Sequence, residues 1–179
     1  MKVEFSQDKK RYSELSSSSV YKEPAMFLVL LFRICQKINN IDIKLIRFTL
    51  NIFYIPFYKF TSIFLGISLP RKTKIDAGFV IFHYGAIAIN ELTQIGKNCT
   101  IRQGVTIGNK NTADDVPILG DNVDIGAGAV IIGRIKIGNN VSIGANAVVL
   151  KDVPDNNIAI GVPAINMAKK LGKEYLETV

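Results

Sequence analysis

The residues best suited to chemistry in this 179-residue sequence are one histidine, His83, and two cysteines, Cys35 and Cys99. One chain with this set cannot supply a four-ligand zinc site, and two cysteines cannot form a disulfide framework. A neutral imidazole can instead accept a proton from a hydroxyl group and return it to a leaving group. If the chain is an enzyme that uses histidine as its base, that base is therefore His83. We expect no metal, and a reduced, intracellular setting is the default.

The net charge of +7 is divided unevenly along the chain. Residues 1–74 hold 13 of the 22 Lys and Arg but 5 of the 15 Asp and Glu, which makes this segment +8, whereas residues 75–179 are −1. The sequence therefore predicts a basic N-terminal region and a nearly neutral second region. Nucleic-acid binding is disfavoured, because the second region is close to neutral and the basic segment carries no recognisable nucleic-acid-binding motif.

The N-terminal region changes character along its length. Residues 1–24 are polar, and we expect a flexible or weakly helical lead-in there. Residues 25–35 and 41–69 are largely apolar, with interspersed Lys and Arg, and predict helices. The apolar runs are shorter than the roughly 20 residues of a spanning helix, and no signal peptide is expected. Two interpretations stay open: contact with a membrane surface through residues 25–70, or helices that pack on each other, on the second region or on neighbouring subunits.

After residue 75 the dominant signal is a period of six. Aliphatic residues recur at this spacing, and small or β-branched residues follow four positions later. This period fits neither a helix nor a β-meander, but it fits a short strand and a turn repeated three times per coil. Residues 75–161 then supply four to five stacked coils. Cys99 is predicted to be a small, inward and inert residue. The aliphatic positions are Ile89, Ile95, Ile101, Ile107, Leu119, Ile125, Ile131, Ile137, Ile143 and Val149.

The repeats resemble those of the hexapeptide-repeat acyltransferases. The resemblance rests on the Ile-Gly-X-X-(Val, Ala or Cys)-X hexads, the stretch 142–154 and the ending Gly161-Val162-Pro163-Ala164. It implies a mostly β fold: a left-handed parallel β-helix preceded by an N-terminal α-helical region. Phe82-His83-Tyr84-Gly85 followed by Ile89-Asn90 and Ile95-Gly96 is similar to the serine acetyltransferase branch, and most of all to its short relatives in capsule and exopolysaccharide biosynthesis.

This resemblance implies direct acetyl transfer from acetyl-CoA to a hydroxyl, with His83 as the general base. Serine acetyltransferases carry an Asp before the base and Arg-His before a Pro in a later loop, whereas this chain has Phe82 and Asp114-Asp115-Val116-Pro117. An acidic and apolar loop suits a neutral, hydroxyl-rich acceptor better than free serine. The Asp that orients the imidazole in that branch has no counterpart near residues 68–70.

The resemblance also implies a homotrimer that binds acetyl-CoA in the groove between adjacent β-helices. Positions that match contacts in related acetyltransferases are Ala127, Ala145 and Lys151, with Lys169 and Lys170 near the place where relatives hold the coenzyme A phosphates. The alternative for the alanines is ordinary corner geometry, and for Lys169 and Lys170 it is a solvated helix face. Residues 109–117 interrupt the hexads and are expected to form a loop that shapes the acceptor pocket.

We therefore expect a cytoplasmic sugar O-acetyltransferase of surface-polysaccharide biosynthesis, whether free or at the inner face of the cell membrane. Its predicted regions are an N-terminal helical region (1–70), a β-helix domain (71–168) and a C-terminal helix or tail (169–179). Serine O-acetylation is the alternative within the same chemistry, and a non-catalytic scaffold is the alternative outside it. A metal-dependent hydratase on the same fold is improbable, because that type needs several histidines at each interface.

Overall fold

The computed structural model describes residues 2–17 and 19–169, which form three α-helices followed by a parallel β-helix. This architecture confirms the predicted class, mostly β with an N-terminal helical region. The helical elements are α1 (Lys2–Leu15), a 3-10 helix (Val20–Lys22), α2 (Pro24–Asn39) and α3 (Lys44–Leu65). Helix α2 begins with Pro24, whose missing N–H costs nothing in a first helical turn. Helix α3 ends where Gly66 adopts a left-handed φ of 63° and its N–H returns to the carbonyl of Ile63 at 3.0 Å.

For residues 1–24 the sequence predicts a flexible or weakly helical lead-in. The structure corrects this prediction, because residues 2–15 form helix α1, which packs on the rest of the chain. Asp8 is fully buried, and Tyr12 is 2% exposed with its ring centroid 5.2 Å from that of Phe82. No helical signal is visible in the sequence here because the buried face consists of a carboxylate and one aromatic ring. An apolar period of 3.6 residues is therefore missing.

Three sheets form the sides of the β-helix. Sheet A is ordered β1-β4-β7-β10-β13, sheet B β2-β5-β8-β11 and sheet C β3-β6-β9-β12-β14-β15, and all pairings are parallel except β14 with β15. The strands are β1 (Ile67–Ser68), β2 (Lys74–Ile75), β3 (Val80–Phe82), β4 (Ile87–Ile89), β5 (Gln94–Ile95), β6 (Thr100–Arg102), β7 (Thr106–Gly108), β8 (Ile118–Leu119), β9 (Asp124–Ile125), β10 (Val130–Ile132), β11 (Lys136–Ile137), β12 (Ser142–Ile143), β13 (Val148–Val149), β14 (Asn157–Ile160) and β15 (Ile165–Ala168).

We name the three corners of the coil by the sheets that they join: AB, BC and CA. About five coils lie in the described part of the chain, so that the β-helix starts with β1 at Ile67 and the predicted boundary at residues 70 and 71 falls inside the first coil. Of the predicted C-terminal segment 169–179, only Lys169 belongs to the described residues.

The core consists of the two inward columns that the six-residue period predicts. All ten aliphatic positions of the hexads are buried, none more than 3% exposed. The small residues four positions later are buried too, and Cys99 is fully buried as expected. At Gly126, which follows the aliphatic Ile125, glycine is required by close approach: a Cβ there would lie 2.5 Å from the backbone nitrogen of Ala145 in the next coil.

A ladder of asparagines stabilises the BC corner. Each asparagine amide donates to the side-chain oxygen of the next at 3.0 Å. All four have φ near 57°, a left-handed conformation that asparagine tolerates better than most residues. The ladder therefore provides both the turn and the contact between coils. Its members are Asn98, Asn122, Asn140 and Asn156.

A buried ion pair closes the N-terminal end of the β-helix. Asp8 Oδ2 accepts from Arg33 Nε at 2.9 Å, and both side chains are at most 2% exposed. In each later coil, the backbone groups at the BC corner form hydrogen bonds with the preceding coil. The first coil has no preceding coil to supply these partners. Asp8 Oδ1 accepts from the N–H groups of Gly78 and Phe79, both at 2.8 Å. The Arg33 guanidinium donates to two carbonyls of the first coil, at residues 75 and 76, both at 2.7 Å. The helices thus satisfy the exposed edge of the β-helix.

Candidate active site

His83 lies on the CA corner between the first two coils, in a turn that is longer than the turn below it. Phe82 pairs with Arg102, but Ala88 pairs with Thr106. The chain therefore uses two more residues to pass from β3 to β4 than from β6 to β7. This insertion makes His83 and its neighbour Tyr84 protrude from the β-helix, and both side chains are exposed.

The backbone of this turn is strained and held in place. His83 has φ 63° and Ala86 has φ 54°, conformations that cost on the order of 1–3 kcal/mol for residues other than glycine. The turn is supported from the end of α3, where the Gly66 carbonyl accepts from the Ile87 N–H at 3.1 Å. A Cβ on Gly66 would lie 3.3 Å from the Cα of Gly85, so the helix end packs directly on the turn.

The His83 imidazole makes no hydrogen bond or ion pair within residues 2–17 and 19–169. Ser68 lies in the segment where the resemblance would put an Asp that orients the imidazole. It is exposed and pairs with Ala88 in sheet A. On sheet C the carboxylate of Asp124 is already engaged by Arg102 Nη1 at 2.6 Å. Within these residues, the chain by itself leaves the ring free to turn towards a ligand.

One glutamine and two alanines continue the CA corner below His83. By strand register, the positions beneath it in successive coils are Gln103, Ala127 and Ala145. Backbone bonds link this column, from Gly128 N–H to the Gln103 carbonyl at 2.9 Å and from Asn146 N–H to the Ala127 carbonyl at 2.8 Å. Strands are about 4.8 Å apart, so Ala127 lies roughly 10 Å and Ala145 roughly 14 Å from the His83 level.

Sequence reasoning did not single out Gln103, which the structure puts in the coil next to His83 with an exposed side chain. The sequence does contain a signal for this position. Gln103-Gly104 occupies the same place in its coil as Ala127-Gly128 does in the following one.

The predicted lysines lie elsewhere in the chain. Lys151 is exposed on the AB corner, after β13. Lys169 lies at the end of β15, where its Nζ donates to the Asn140 carbonyl at 3.2 Å beside the BC corner. Lys170 is outside the described residues. One chain therefore brings His83, Ala127 and Ala145 to one corner and keeps Lys151 and Lys169 on the other two.

The loop of residues 109–117 projects from the AB corner, between β7 and β8. Its acidic residues form hydrogen bonds within the loop and with Arg134 of the next coil. Asp115 is 8% exposed and accepts from the backbone N–H groups of Lys110 and Asn111 at 2.7 and 2.8 Å. Burial by itself raises the pKa of Asp115, but these hydrogen bonds outweigh it and hold the pKa below its ordinary value. Asp114 accepts from Thr112 and from Arg134, both at 2.8 Å, and its pKa is lowered by these contacts.

The remaining chemistry-bearing groups are unsuited to catalysis. Both cysteines are buried, and burial raises the pKa of the Cys99 thiol to about 12. Across residues 2–17 and 19–169, no group of three or more His, Cys, Asp or Glu could hold a metal ion. None of the described helices is long and apolar enough to cross a membrane.

Comparison with protein-family models matches residues 117–151 to the family described as bacterial transferase hexapeptide (six repeats). Over 106 residues the chain is 42% identical to WcaB of Escherichia coli K12, an acetyltransferase named for colanic acid biosynthesis, covering 58% of this chain and 65% of WcaB. Over 102 residues it is 43% identical to a serine acetyltransferase of Staphylococcus aureus (strain Mu50), covering 56% and 48%. The chain thus spans less than two thirds of the length of these relatives.

Solved structures share the fold over most of the chain. Serine acetyltransferase of Neisseria gonorrhoeae, crystallised with serine, has a TM-score of 0.76 and 26% identity, with 92% of this chain and 67% of that chain covered. A serine acetyltransferase in complex with CoA has a TM-score of 0.65 and 31% identity, with 80% and 57% covered.

Proposed function

We propose that this chain, which belongs to the hexapeptide-repeat transferase family, is an acetyl-CoA-dependent O-acetyltransferase that modifies a sugar hydroxyl. The observation that carries the proposal is the His83 turn. The only imidazole in the sequence protrudes from a strained turn with a two-residue insertion, above the column of Gln103, Ala127 and Ala145. Strain of this kind is kept where the surrounding structure supports it, and it is common at functional sites.

In the proposed reaction, an imidazole nitrogen of His83 accepts the proton of the acceptor hydroxyl while the hydroxyl oxygen bonds to the thioester carbonyl carbon. The bond from that carbon to sulfur breaks, and the imidazolium returns the proton to the departing thiolate. No covalent enzyme intermediate is required. The two buried thiols agree with this role for His83, since neither is available as a nucleophile.

The residues below His83 fit the extended arm of acetyl-CoA. Ala127 and Ala145 expose a corner without bulky side chains, along which an extended chain can approach the backbone. We propose this column as the donor site, with Lys151 of a neighbouring subunit as a charge for the phosphates. Lys169 remains part of this proposal, although its ammonium group already bonds to Asn140. Lys170 remains in it as a sequence prediction.

The proposed site needs two chains. Residues 109–117 and Lys151 lie on the AB corner, whereas His83 lies on the CA corner, across the width of sheet A. Two corners of one triangular coil cannot meet, but the CA corner of one subunit can face the AB corner of the next. This separation supports a homotrimer with the site in the groove between subunits.

A sugar is the favoured acceptor. The loop residues Val116 and Pro117 are buried, and the Arg134 guanidinium is already paired with Asp114. Lys110 is then the remaining cation of the loop that could bind the carboxylate of free serine. The match to WcaB, named for colanic acid biosynthesis, also favours a polysaccharide precursor. Serine O-acetylation is the second candidate, favoured by the matches to serine acetyltransferases. A cytoplasmic location stays a prediction.

Thiol release from acetyl-CoA tests the proposal, with L-serine and a panel of sugars and nucleotide sugars as acceptors. We expect turnover with a sugar and a loss of about 10²–10⁴-fold for His83→Ala. The matched control is Lys97→Ala, an exposed position on the BC corner, away from the proposed groove. Turnover with serine alone would overturn the sugar assignment, and full activity of His83→Ala would overturn the catalytic one and favour a scaffold.

A further inference from the structure

Helix α3 exposes far more apolar surface than any packing within the chain explains. Its buried residues are Tyr58, Thr61 and Leu65, all in the second half of the helix. Exposed residues with large apolar side chains lie along its whole length, and a patch of this size marks an interaction site. They are Leu45, Ile46, Phe48, Leu50, Ile52, Phe53, Phe57, Phe60, Ile63 and Phe64, which are 42–81% exposed.

The contacts that hold α3 occupy one side of it. Tyr58 donates to the Leu69 carbonyl at 2.6 Å, and Tyr54 donates to the Leu31 carbonyl of α2. Phe57 meets Phe27 of α2 edge-on, with ring centroids 6.5 Å apart. Helix α2, by contrast, buries nine of its residues. The uncovered apolar surface of the helical region therefore belongs mainly to α3.

The charges on α3 and on the segment that follows it have one sign, and Glu91 of the β-helix pairs with one of them, Lys72, at 3.4 Å. Between Asp42 and Asp76 all six charged residues are Lys or Arg: Lys44, Arg47, Lys59, Arg71, Lys72 and Lys74. A phenylalanine-rich helix with basic residues is the composition of helices that lie in the interface of anionic bilayers. Each basic residue near such a surface contributes about 1 kcal/mol. Pairing of α3 with its own copy would bring like charges together instead.

We propose that α3 docks this protein on an anionic lipid surface, with its phenylalanines inserted between the lipids and its lysines facing their phosphates. Ile63 and Phe64 are 81% and 78% exposed, and they lie three and two residues before the Gly66 that packs on the His83 turn. Docking through this end of α3 brings that turn close to the lipid surface. If the proposed function holds, on which this last step rests, the enzyme acts on acceptors carried by the membrane.

Flotation of the full-length chain with vesicles tests the docking. The vesicles contain phosphatidylcholine, with or without phosphatidylglycerol, and we expect binding to the anionic set that weakens as salt is added. Phe53→Ser combined with Phe64→Ser should weaken binding by about tenfold or more, because two apolar side chains no longer enter the lipid. The matched control is Tyr21→Ser with Leu92→Ser, which changes two exposed apolar residues outside α3, 80% and 52% exposed.

A charge-reversed pair sharpens the test. Lys44→Glu with Lys59→Glu should weaken binding by about tenfold or more. Lys97→Glu with Lys136→Glu, on the β-helix, should change it little. Equal flotation of the parent and both α3 variants would overturn the proposal. So would a parent that does not float and instead forms a concentration-dependent oligomer that the α3 variants abolish, because a second copy would then cover the helix.

The same vesicles separate this inference from the proposed function. The His83→Ala variant should float like the parent, because its change lies outside α3. A parent that floats but has no transferase activity would refute the function and leave the docking intact. A parent that acetylates a soluble sugar but ignores anionic vesicles would refute the docking alone.

Discussion

The β-helix and the helical region differ in which charged groups they bury and which apolar groups they expose. In the β-helix the hexad aliphatic residues are at most 3% exposed, and the buried polar side chains among its described residues are three threonines and Asp115. In the helical region the charged pair of Asp8 and Arg33 is buried, while Phe53 and Phe64 are 77% and 78% exposed. The first region obtains its burial from its own repeats. The second is built for two interfaces, one with the first coil and one directed outwards.

The burial of a charged pair has a physical cause at the interface between the helices and the first coil. Each lower coil bonds to the coil above it, for example through the Asn98 N–H to the Ala77 carbonyl at 2.9 Å. The first coil has no coil above, so a purely apolar cap would leave backbone groups buried without partners. Asp8 and Arg33 supply those partners, and the polar residues of the cap are therefore structural.

Removing that carboxylate should have the largest effect on stability. Asp8→Ala leaves the buried Arg33 charge without its counter-ion, and it leaves the Arg33 Nε and two backbone N–H groups without their acceptor, so we expect a loss of about 3–5 kcal/mol in the free energy of unfolding. Urea unfolding followed by circular dichroism measures it. Glu14→Ala, which breaks the exposed pair with Lys10 in the same helix, should cost less than about 1 kcal/mol. Equal costs for the two variants would contradict the capping role of Asp8.

Isoleucine truncation in the two regions tests the contrast directly. Ile125 is fully buried, and Ile125→Ala should lower the free energy of unfolding by about 2–5 kcal/mol because it leaves a cavity in the stack. Ile63 is 81% exposed, and Ile63→Ala should stay within about 0.5 kcal/mol of the parent. Thermal unfolding of both variants, without lipid, gives the comparison. A large cost for Ile63→Ala would mean that α3 is covered within a stable assembly.

The difference between the regions also explains what the sequence could predict. Burial in the β-helix follows a local period, so both inward columns and the buried Cys99 could be predicted residue by residue. The link between Asp8 and Arg33 joins residues 25 apart with no pattern between them, and so the packed α1 was missed. The alignment of His83 with Ala127 instead depends on the coil register, which the insertion at His83 and the loop 109–117 shift.

Two substitutions of Asn122, at the BC corner of the β-helix, measure the cost of backbone strain separately from the loss of side-chain hydrogen bonds. Asn122 has φ 56° and bonds to the asparagines of both neighbouring coils. Asn122→Ala loses these bonds and keeps an unfavourable φ, which predicts a loss of about 1–2 kcal/mol. Asn122→Gly loses the same bonds but tolerates the φ, and it should cost less. If glycine proves as costly as alanine, side-chain bonding rather than strain dominates at this corner.

The loop of residues 109–117 should give the smallest effect, because its contacts are local and mostly at the surface. The pKa of Asp115 is lower in the folded chain than its ordinary value of 3.8, since the N–H groups of Lys110 and Asn111 favour the charged form. A carboxyl with a lowered pKa stabilises the fold above its unfolded pKa, and this contribution is lost as pH falls through the folded value. The difference in unfolding free energy between the parent and Asp115→Asn should thus be constant near neutral pH and shrink below about pH 3.8. A difference that persists unchanged in acid would mean that the carboxylate charge does not brace the loop, and Asp115 would again be available to face the acceptor.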